Sequence, residues 1–207
     1  MGDGSLRLAR AAMRAASKTG IEIIIAPPGP FVALVASSKT VPVFSQSVGN
    51  EASGKSTGAF LPEAVKGAGG RGTLLNHSES PKPIGELKQI VPRLKGLSLE
   101  ICICAATTTQ ALTMAPFGPE YLAIEPPELI GSGIPVSRAK PSLVSTTVQQ
   151  VREAGFKGRV LCGAGIVTGD DVAKAVALGA DGILVSSSVV MAADWEAKIV
   201  ELSRSLK

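Results

Sequence analysis

The sequence predicts a parallel α/β fold, a (β/α)₈ barrel that lacks one strand. Apolar runs alternate with helical patterns along the whole chain, and Gly and Pro separate them. The pattern contains seven strands and eight helices, and it begins with a helix, whereas a barrel ordinarily begins with a strand. At 207 residues the chain is also shorter than the ~250 residues typical of such barrels. We therefore expect the first strand to be absent from the N-terminus, with an open doubly wound sheet as the alternative.

The predicted strands are short runs of mostly β-branched or aliphatic residues, as in parallel strands that are buried on both faces. They span 21 to 26, 41 to 46, 72 to 76, 99 to 105, 121 to 125, 159 to 163 and 182 to 186. The predicted helices span 5 to 19, 30 to 38, 62 to 68, 84 to 95, 106 to 114, 141 to 154, 169 to 178 and 192 to 206. No linker interrupts the alternation, so we expect one domain over residues 1 to 207.

The composition narrows the class of protein. Hydrophobic residues make up 45% of the chain and charged residues 18%, as in a globular protein. No apolar run approaches the ~20 residues that span a bilayer, and the N-terminus has no secretory signal. We therefore expect a cytoplasmic protein without a membrane partner. The net charge of +4 is dispersed and aromatic residues are few, so we expect no nucleic-acid partner.

Cysteine and histidine are too sparse for a metal centre. Cys102, Cys104 and Cys162 form no CxxC pair and have apolar neighbours, as buried structural thiols do. The chain contains a single histidine, and its carboxylates show no metal-ligand spacing. We expect neither a metal nor a cofactor.

Two residues suited to proton transfer follow predicted strands. His77 comes after "GTLLN", and Glu125 closes "YLAIE". In a (β/α)₈ barrel, the chemistry gathers at the carboxyl ends of the strands. A lone histidine is more often structural, but this position predicts that His77 and Glu125 share one mouth.

The segment after Glu125, "PPELIGSGIPVSRAKP", is long for a connection between a strand and a helix. It opens with two prolines and carries Gly131 and Gly133 as possible hinges. This composition favours an active-site lid over a plain surface turn.

A phosphate site is predicted after the last two strands. Gly163 and Gly165 follow one of them, where absent side chains would leave backbone N–H groups free to approach an anion. Ser186 and Ser187 follow the other. Many phosphate-binding barrels share this pattern, so it indicates a substrate feature and no particular reaction.

Five segments together resemble the triosephosphate isomerase family, in its short archaeal type. They are "STGAFLPEAVKGAG", "LLNHSE", "AIEPPELIGSGIPVS", "LCGAGIVTGDDV" and "GADGILVSSSVV". The resemblance extends over essentially the whole chain and implies a TIM barrel. It also implies an isomerase of glycolysis and gluconeogenesis that interconverts dihydroxyacetone phosphate and D-glyceraldehyde 3-phosphate through an enediolate. Glu125 would be the proton acceptor and His77 the electrophile.

The resemblance also implies roles for the residues around this pair. The lid residues Ile130 and Gly131 would close over the phosphate, which Gly165, Ser186 and Ser187 would also contact. Glu79 would support the histidine, and Cys104 would pack in the family's cysteine position. Thr57, in the loop from 47 to 58, would reach toward a partner subunit, which implies a homo-oligomer, either a dimer or a tetramer.

One departure from the family leaves alternatives open. The family's first strand carries an Asn-x-Lys segment that touches the substrate, and no lysine of this sequence has a matching context. The chain is therefore an isomerase whose sequence begins late, a non-catalytic phosphate-binding barrel, or a different barrel enzyme that acts on a phosphorylated substrate.

Overall fold

The computed structural model describes residues 2–54, 56–130 and 133–206. Within them the chain forms six parallel strands, β1 Phe44–Ser45, β2 Gly72–Leu75, β3 Glu100–Ala105, β4 Tyr121–Ile124, β5 Arg159–Cys162 and β6 Gly182–Ile183. The α-helices are α1 Gly2–Thr19, α2 Val32–Ser37, α3 Pro62–Gly67, α4 Ile84–Gly96, α5 Thr108–Met114, α6 Val136–Ala139, α7 Pro141–Glu153, α8 Gly169–Ala177, α9 Ser187–Val190 and α10 Trp195–Arg204. All eight predicted helices are present, and the short helices α6 and α9 were not predicted.

The strands lie in chain order, each parallel to the next, with helices on the connections. This is the arrangement of a βα barrel wall and confirms the predicted fold class. The pairing is most extensive in the middle, where Leu75 pairs with Ile103 and Ala105 with Ile124. The carboxyl ends of β2, β3 and β4 consequently meet on one rim.

The predicted strand at 21 to 26 is reduced to a single bridge, between Ile25 and Val43. The Ile25 N–H donates to the Pro42 carbonyl oxygen, and the Phe44 N–H donates to the Ile25 carbonyl oxygen. The next hydrogen bond on one side would need an N–H on Pro42, and on the other side an N–H on Pro27. Since proline has no N–H, the ladder cannot extend in either direction. The prediction of seven full strands is wrong in this respect.

The concave face of the sheet has its own apolar cluster. Its buried members are Phe44, Cys102, Cys104, Tyr121 and Ala123. The rings of Phe44 and Tyr121 meet edge to face, with centroids 6.0 Å apart. Because side chains alternate along a strand, Glu125, two residues after Ala123, also faces this interior.

A charged group occupies the amino end of the sheet. Arg71 pairs with Glu100 at 2.7 Å and with Glu22 at 2.6 Å. The hydrogen bond to Glu100, with that to Glu22, raises the pKa of Arg71 despite the opposing effect of burial. Glu22 also lies 3.5 Å from Arg159, so two cations face two carboxylates in this group and their charges balance.

The first and last helices pack against each other. Arg14 and Lys18 of α1 both pair with Glu196 of α10, and the Arg7 guanidinium lies 5.5 Å from the centre of the Trp195 ring. Among the described residues, no hydrogen bond joins β6 to the segment 21 to 26. The helix layer is therefore continuous where the sheet is not.

Side-chain caps fix the starts of the later helices. The Thr107 hydroxyl accepts from the Gln110 N–H at α5, and the Asp194 carboxylate accepts from the Ala197 N–H at α10. Thr168 begins α8 with a capping box to Asp171. None of the described helices is long and apolar enough to cross a membrane.

Candidate active site

His77 and Glu125 face each other at the carboxyl rim of the sheet. His77 lies two residues beyond the end of β2, and Glu125 follows the last residue of β4. The His77 Nε2 atom is 3.7 Å from the Glu125 Oε1 atom. The histidine side chain is 22% exposed and the glutamate side chain 3%. A buried carboxylate thus faces an imidazole that is open on one side.

A backbone contact indicates the tautomer of the His77 ring. The Glu79 N–H donates to Nδ1 of His77 at 3.2 Å, so Nδ1 acts as an acceptor and carries no proton. The neutral ring therefore has its proton on Nε2, the atom that faces Glu125. A turn in which the Ser80 N–H donates to the His77 carbonyl oxygen holds this arrangement. The ring can donate a hydrogen bond without being charged.

Glu125 has the environment of a strong base. Burial raises the pKa of Glu125, hydrogen bonding with the Cys104 thiol and the proximity of His77 lower it, and the charge of Glu79 raises it. The Oε2 atom is buried and has no hydrogen-bond partner among the described residues. A carboxylate that is poorly solvated and unpaired has a high affinity for a proton. Proton abstraction is the chemistry that this arrangement can perform.

Gly163 takes part in this arrangement in a way that we did not expect. Its N–H, which we predicted to be free for an anion, donates to the Ile124 carbonyl oxygen at 3.0 Å and extends the sheet. A Cβ atom at this position would lie 2.5 Å from Cγ and 2.9 Å from Oε1 of Glu125. The glycine therefore leaves the space in which the Glu125 side chain lies.

Gly165 lies under the segment that we predicted to be a lid. Its φ is +70°, and a Cβ there would overlap the carbonyl group of Ile134. No hydrogen bond involving the Gly165 N–H is found in the described part of the chain. Within the predicted lid, Ile130 is half-buried, and Gly131 lies outside the described residues.

The carboxyl end of this segment is anchored. The Val136 N–H donates to the Ala164 carbonyl oxygen at 3.1 Å, and the Ser137 hydroxyl donates to the Asp171 carbonyl oxygen at 3.2 Å. Arg138 pairs with the buried Asp171 carboxylate at 2.6 Å. Sequence reasoning did not identify these residues, because an arginine in a loop carries no signal of its partner.

The other predicted site residues lie around the same rim or near it. Ser186 and Ser187 are exposed where β6 leads into α9. The Glu79 side chain is 82% exposed, with Oε2 3.8 Å from Nδ1 of His77. Thr57 is exposed in its loop. Cys104 was predicted only to pack, and its thiol also interacts with Glu125.

The charged side chains around His77 in the described part of the chain are carboxylates. Among the described residues, the carboxylates within 4 Å of the His77 ring nitrogens are those of Glu79 and Glu125, and no lysine or arginine forms a salt bridge with these three residues. No group of three His, Cys, Asp or Glu side chains is placed to bind a metal in the described ranges.

A parallel βα wall with a buried carboxylate facing an imidazole at its carboxyl rim is the arrangement of a barrel enzyme of the proton-transferring kind. Residues 4–203 match the family model described as triosephosphate isomerase. The chain belongs to the triosephosphate isomerase family, which confirms the resemblance seen in the sequence.

Curated relatives agree with this assignment over nearly their full lengths. The chain is 41% identical to the triosephosphate isomerase of Caldivirga maquilingensis, over 100% of this chain and 92% of the relative. It is 40% identical to that of Methanocaldococcus jannaschii, over 98% and 92%, respectively. It is 41% identical to that of Methanosarcina acetivorans, over 98% and 91%.

Proposed function

We propose that this chain interconverts dihydroxyacetone phosphate and D-glyceraldehyde 3-phosphate, as an isomerase of glycolysis and gluconeogenesis. The observation that carries the proposal is the pairing of a buried, unsolvated Glu125 with the Nε2–H face of His77, 3.7 Å apart. Moving a proton between adjacent carbons of a hydroxy-ketone requires a base for the carbon and a donor for the oxygen. These two side chains supply both.

In this mechanism Glu125 removes a proton from the carbon next to the carbonyl group. The electron pair of the broken C–H bond forms the enediolate, and the developing charge on oxygen is stabilised by the hydrogen bond from Nε2–H of His77. A proton transfers between the two oxygens of the enediolate, and Glu125 returns its proton to the neighbouring carbon. The enzyme ends in the state in which it began.

Phosphate binding is assigned to the loops on the same rim. Gly165 would offer its N–H group, Ser186 and Ser187 their exposed N–H and hydroxyl groups, and Ile130 and Gly131 would close over the phosphate. Closure would exclude water from the enediolate and strengthen each hydrogen bond to it. Gly163 belongs to the site through the space that it leaves for Glu125.

We also assign the chain to the cytoplasm and to a homo-oligomer, either a dimer or a tetramer, of the archaeal type. The relatives named above come from archaea. Thr57, Gly58 and residues 51 to 54 of this loop are exposed, which suits a loop that docks against a partner subunit. Glu79, beside the histidine, would orient the imidazole.

The test is turnover of the purified chain in both directions with Glu125→Gln and His77→Gln. We expect losses of at least about 10²-fold for each, since each removes one group that acts in the transition state. Glu153→Gln is a matched control, because Glu153 is an exposed carboxylate at the end of α7. Retention of full turnover by Glu125→Gln would refute the assignment.

In the described part of the chain no lysine or arginine pairs with His77, Glu79 or Glu125, which favours a second candidate, a phosphate-binding barrel without catalysis. Such a protein would bind 2-phosphoglycolate and show no turnover of either triose phosphate. A barrel enzyme with a different substrate would instead act on a larger phosphate ester. Measuring binding and turnover on one preparation separates the three.

A further inference from the structure

Asn76 is the residue at which the chain leaves β2 to enter the loop that carries His77. Its φ is +59°, in the left-handed region that asparagine tolerates better than most residues other than glycine. The ladder between β2 and β3 ends one residue earlier, at the pair Leu75 and Ile103. The left-handed turn therefore directs the main chain out of the sheet immediately before the imidazole.

The Asn76 side chain takes over the contacts that the main chain gives up. Its Nδ2 atom donates to the Cys104 carbonyl oxygen at 2.8 Å, the position where the next hydrogen bond of the ladder would form. Its Oδ1 atom accepts from the Lys82 N–H at 2.9 Å, which closes the loop from 77 to 81. One amide group thus holds both ends of the histidine loop to the sheet.

The strand that receives this contact also lies beside the base. Cys104 is in β3, between β2 and β4, and its side chain is on the concave face with Ala123. A displacement of Asn76 would move the His77 loop relative to β3 and β4, and so relative to Glu125. The hydrogen bonds of the amide therefore define the position from which the imidazole faces the carboxylate.

We propose that Asn76 is a positioning residue that orients the imidazole of His77 toward Glu125. The role of Asn76 in catalysis rests on the proposed function, whereas its effect on the orientation of the His77 imidazole does not. Asn76 contacts no reacting atom and acts through the loop that it closes.

Two substitutions separate the amide from the backbone turn. Asn76→Gly keeps the left-handed conformation without strain and removes the side-chain hydrogen bonds to Cys104 and Lys82, together with a weak contact of Nδ2 with the Met114 sulfur at 3.9 Å. Asn76→Asp keeps an acceptor for the Lys82 N–H and replaces the donor that faces the Cys104 carbonyl oxygen. Ser98→Gly is the matched control, because Ser98 also has a positive φ, +53°, and lies at the opposite end of β3.

The decisive readout is the imidazole itself, since His77 is the only histidine in the chain. In ¹⁵N NMR of a uniformly labelled chain without a histidine tag, each ring nitrogen gives one signal that reports whether it carries a proton. We expect the unmodified chain and Ser98→Gly to show a single tautomer, protonated on Nε2. In Asn76→Gly and Asn76→Asp we expect shifted signals that indicate averaging between ring states.

Turnover provides the second readout. A displacement of about 1 Å in a catalytic group can cost roughly 10²-fold, so we expect kcat to fall 10- to 100-fold in both variants, with KM changed less than threefold. Circular dichroism checks that each variant is folded. If Asn76→Gly does not fold, Asn76→Asp provides the comparison. Imidazole signals identical to those of the unmodified chain in a folded Asn76 variant would overturn the proposal. If the unmodified chain shows no turnover but its imidazole still responds to Asn76, the proposed function fails and this inference stands.

Discussion

Replacing Gly163 by alanine tests whether the space beside Glu125 is required for the reaction. The new Cβ atom would lie 2.5 Å from Cγ and 2.9 Å from Oε1 of Glu125. Favourable contacts between carbon atoms lie at about 3.5–4.0 Å. The Glu125 side chain must therefore move by about 1 Å, or β5 must shift away from β4.

The size of the effect follows from that displacement. Misplacing a catalytic group by about 1 Å can cost roughly 10²-fold in rate. We expect Gly163→Ala to lower kcat by about that factor, with a smaller change in KM, because the proposed phosphate contacts lie elsewhere. The overlap should also lower the free energy of unfolding by about 1–3 kcal/mol, as overpacking does.

The assay is steady-state turnover in both directions, together with urea unfolding of the same preparations. Gly85→Ala is the control, because a Cβ at Gly85 would meet nothing within 4 Å, and it should leave kcat unchanged. A folded Gly163→Ala variant with kcat within threefold of the unmodified chain would refute the reasoning that Gly163 makes room for Glu125.

Three further predictions concern pH and stability. Burial raises the pKa of Glu125, so above that pKa the charged carboxylate destabilises the folded state. Glu125→Gln should therefore raise the free energy of unfolding at pH 7 by about 1 kcal/mol. Urea titrations should show that this stabilisation becomes smaller as the pH falls toward 4. Hydrogen bonding with Cys104 lowers the pKa of Glu125, so Cys104→Ala should move the acid limb of the kcat/KM profile to higher pH; an unmoved limb would contradict this. Burial would raise the pKa of Asp171, but its hydrogen bonds with Thr168 and Arg138 lower it overall. The Asp171 carboxylate therefore stabilises the folded state above the usual carboxylate pKa, and this stabilisation is lost as the pH falls. Asp171→Asn should lower the free energy of unfolding by about 2 kcal/mol at pH 7 and by less near pH 3 in the same titrations, and an equal loss at both pH values would contradict this.

The sequence was sufficient to predict the order of the six strands, eight of the ten α-helices that the structure describes, and the position of the proposed catalytic pair. Strand ends can be read from the apolar runs, and parallel strands bring their carboxyl ends to one rim. His77 and Glu125 could therefore be predicted to meet, although their chain positions are far apart. The sequence does not predict the distance between the two side chains, since that distance depends on the curvature of the sheet and on the turn before His77.

The remaining features depend on hydrogen bonds that no periodic pattern encodes. Pro27 follows one apolar run that looks like a full strand and Pro42 lies within the next, and only the observed register shows that each removes a needed N–H. Gly163 appeared in the sequence as part of a phosphate loop, whereas its amide belongs to the sheet. Asn76 offered a weak signal, an asparagine at a strand end, which favours a left-handed turn but does not reveal its partners.

The central claim is that Glu125 transfers a proton on carbon while His77 polarises the adjacent oxygen. The most direct test is deuterium incorporation from D₂O into dihydroxyacetone phosphate at carbon 1, measured by NMR with the unmodified chain and with Glu125→Gln. The account predicts that the unmodified chain incorporates deuterium and that Glu125→Gln does so at least about 10²-fold more slowly. Incorporation at equal rates by the two proteins, or none by the unmodified chain, would contradict it.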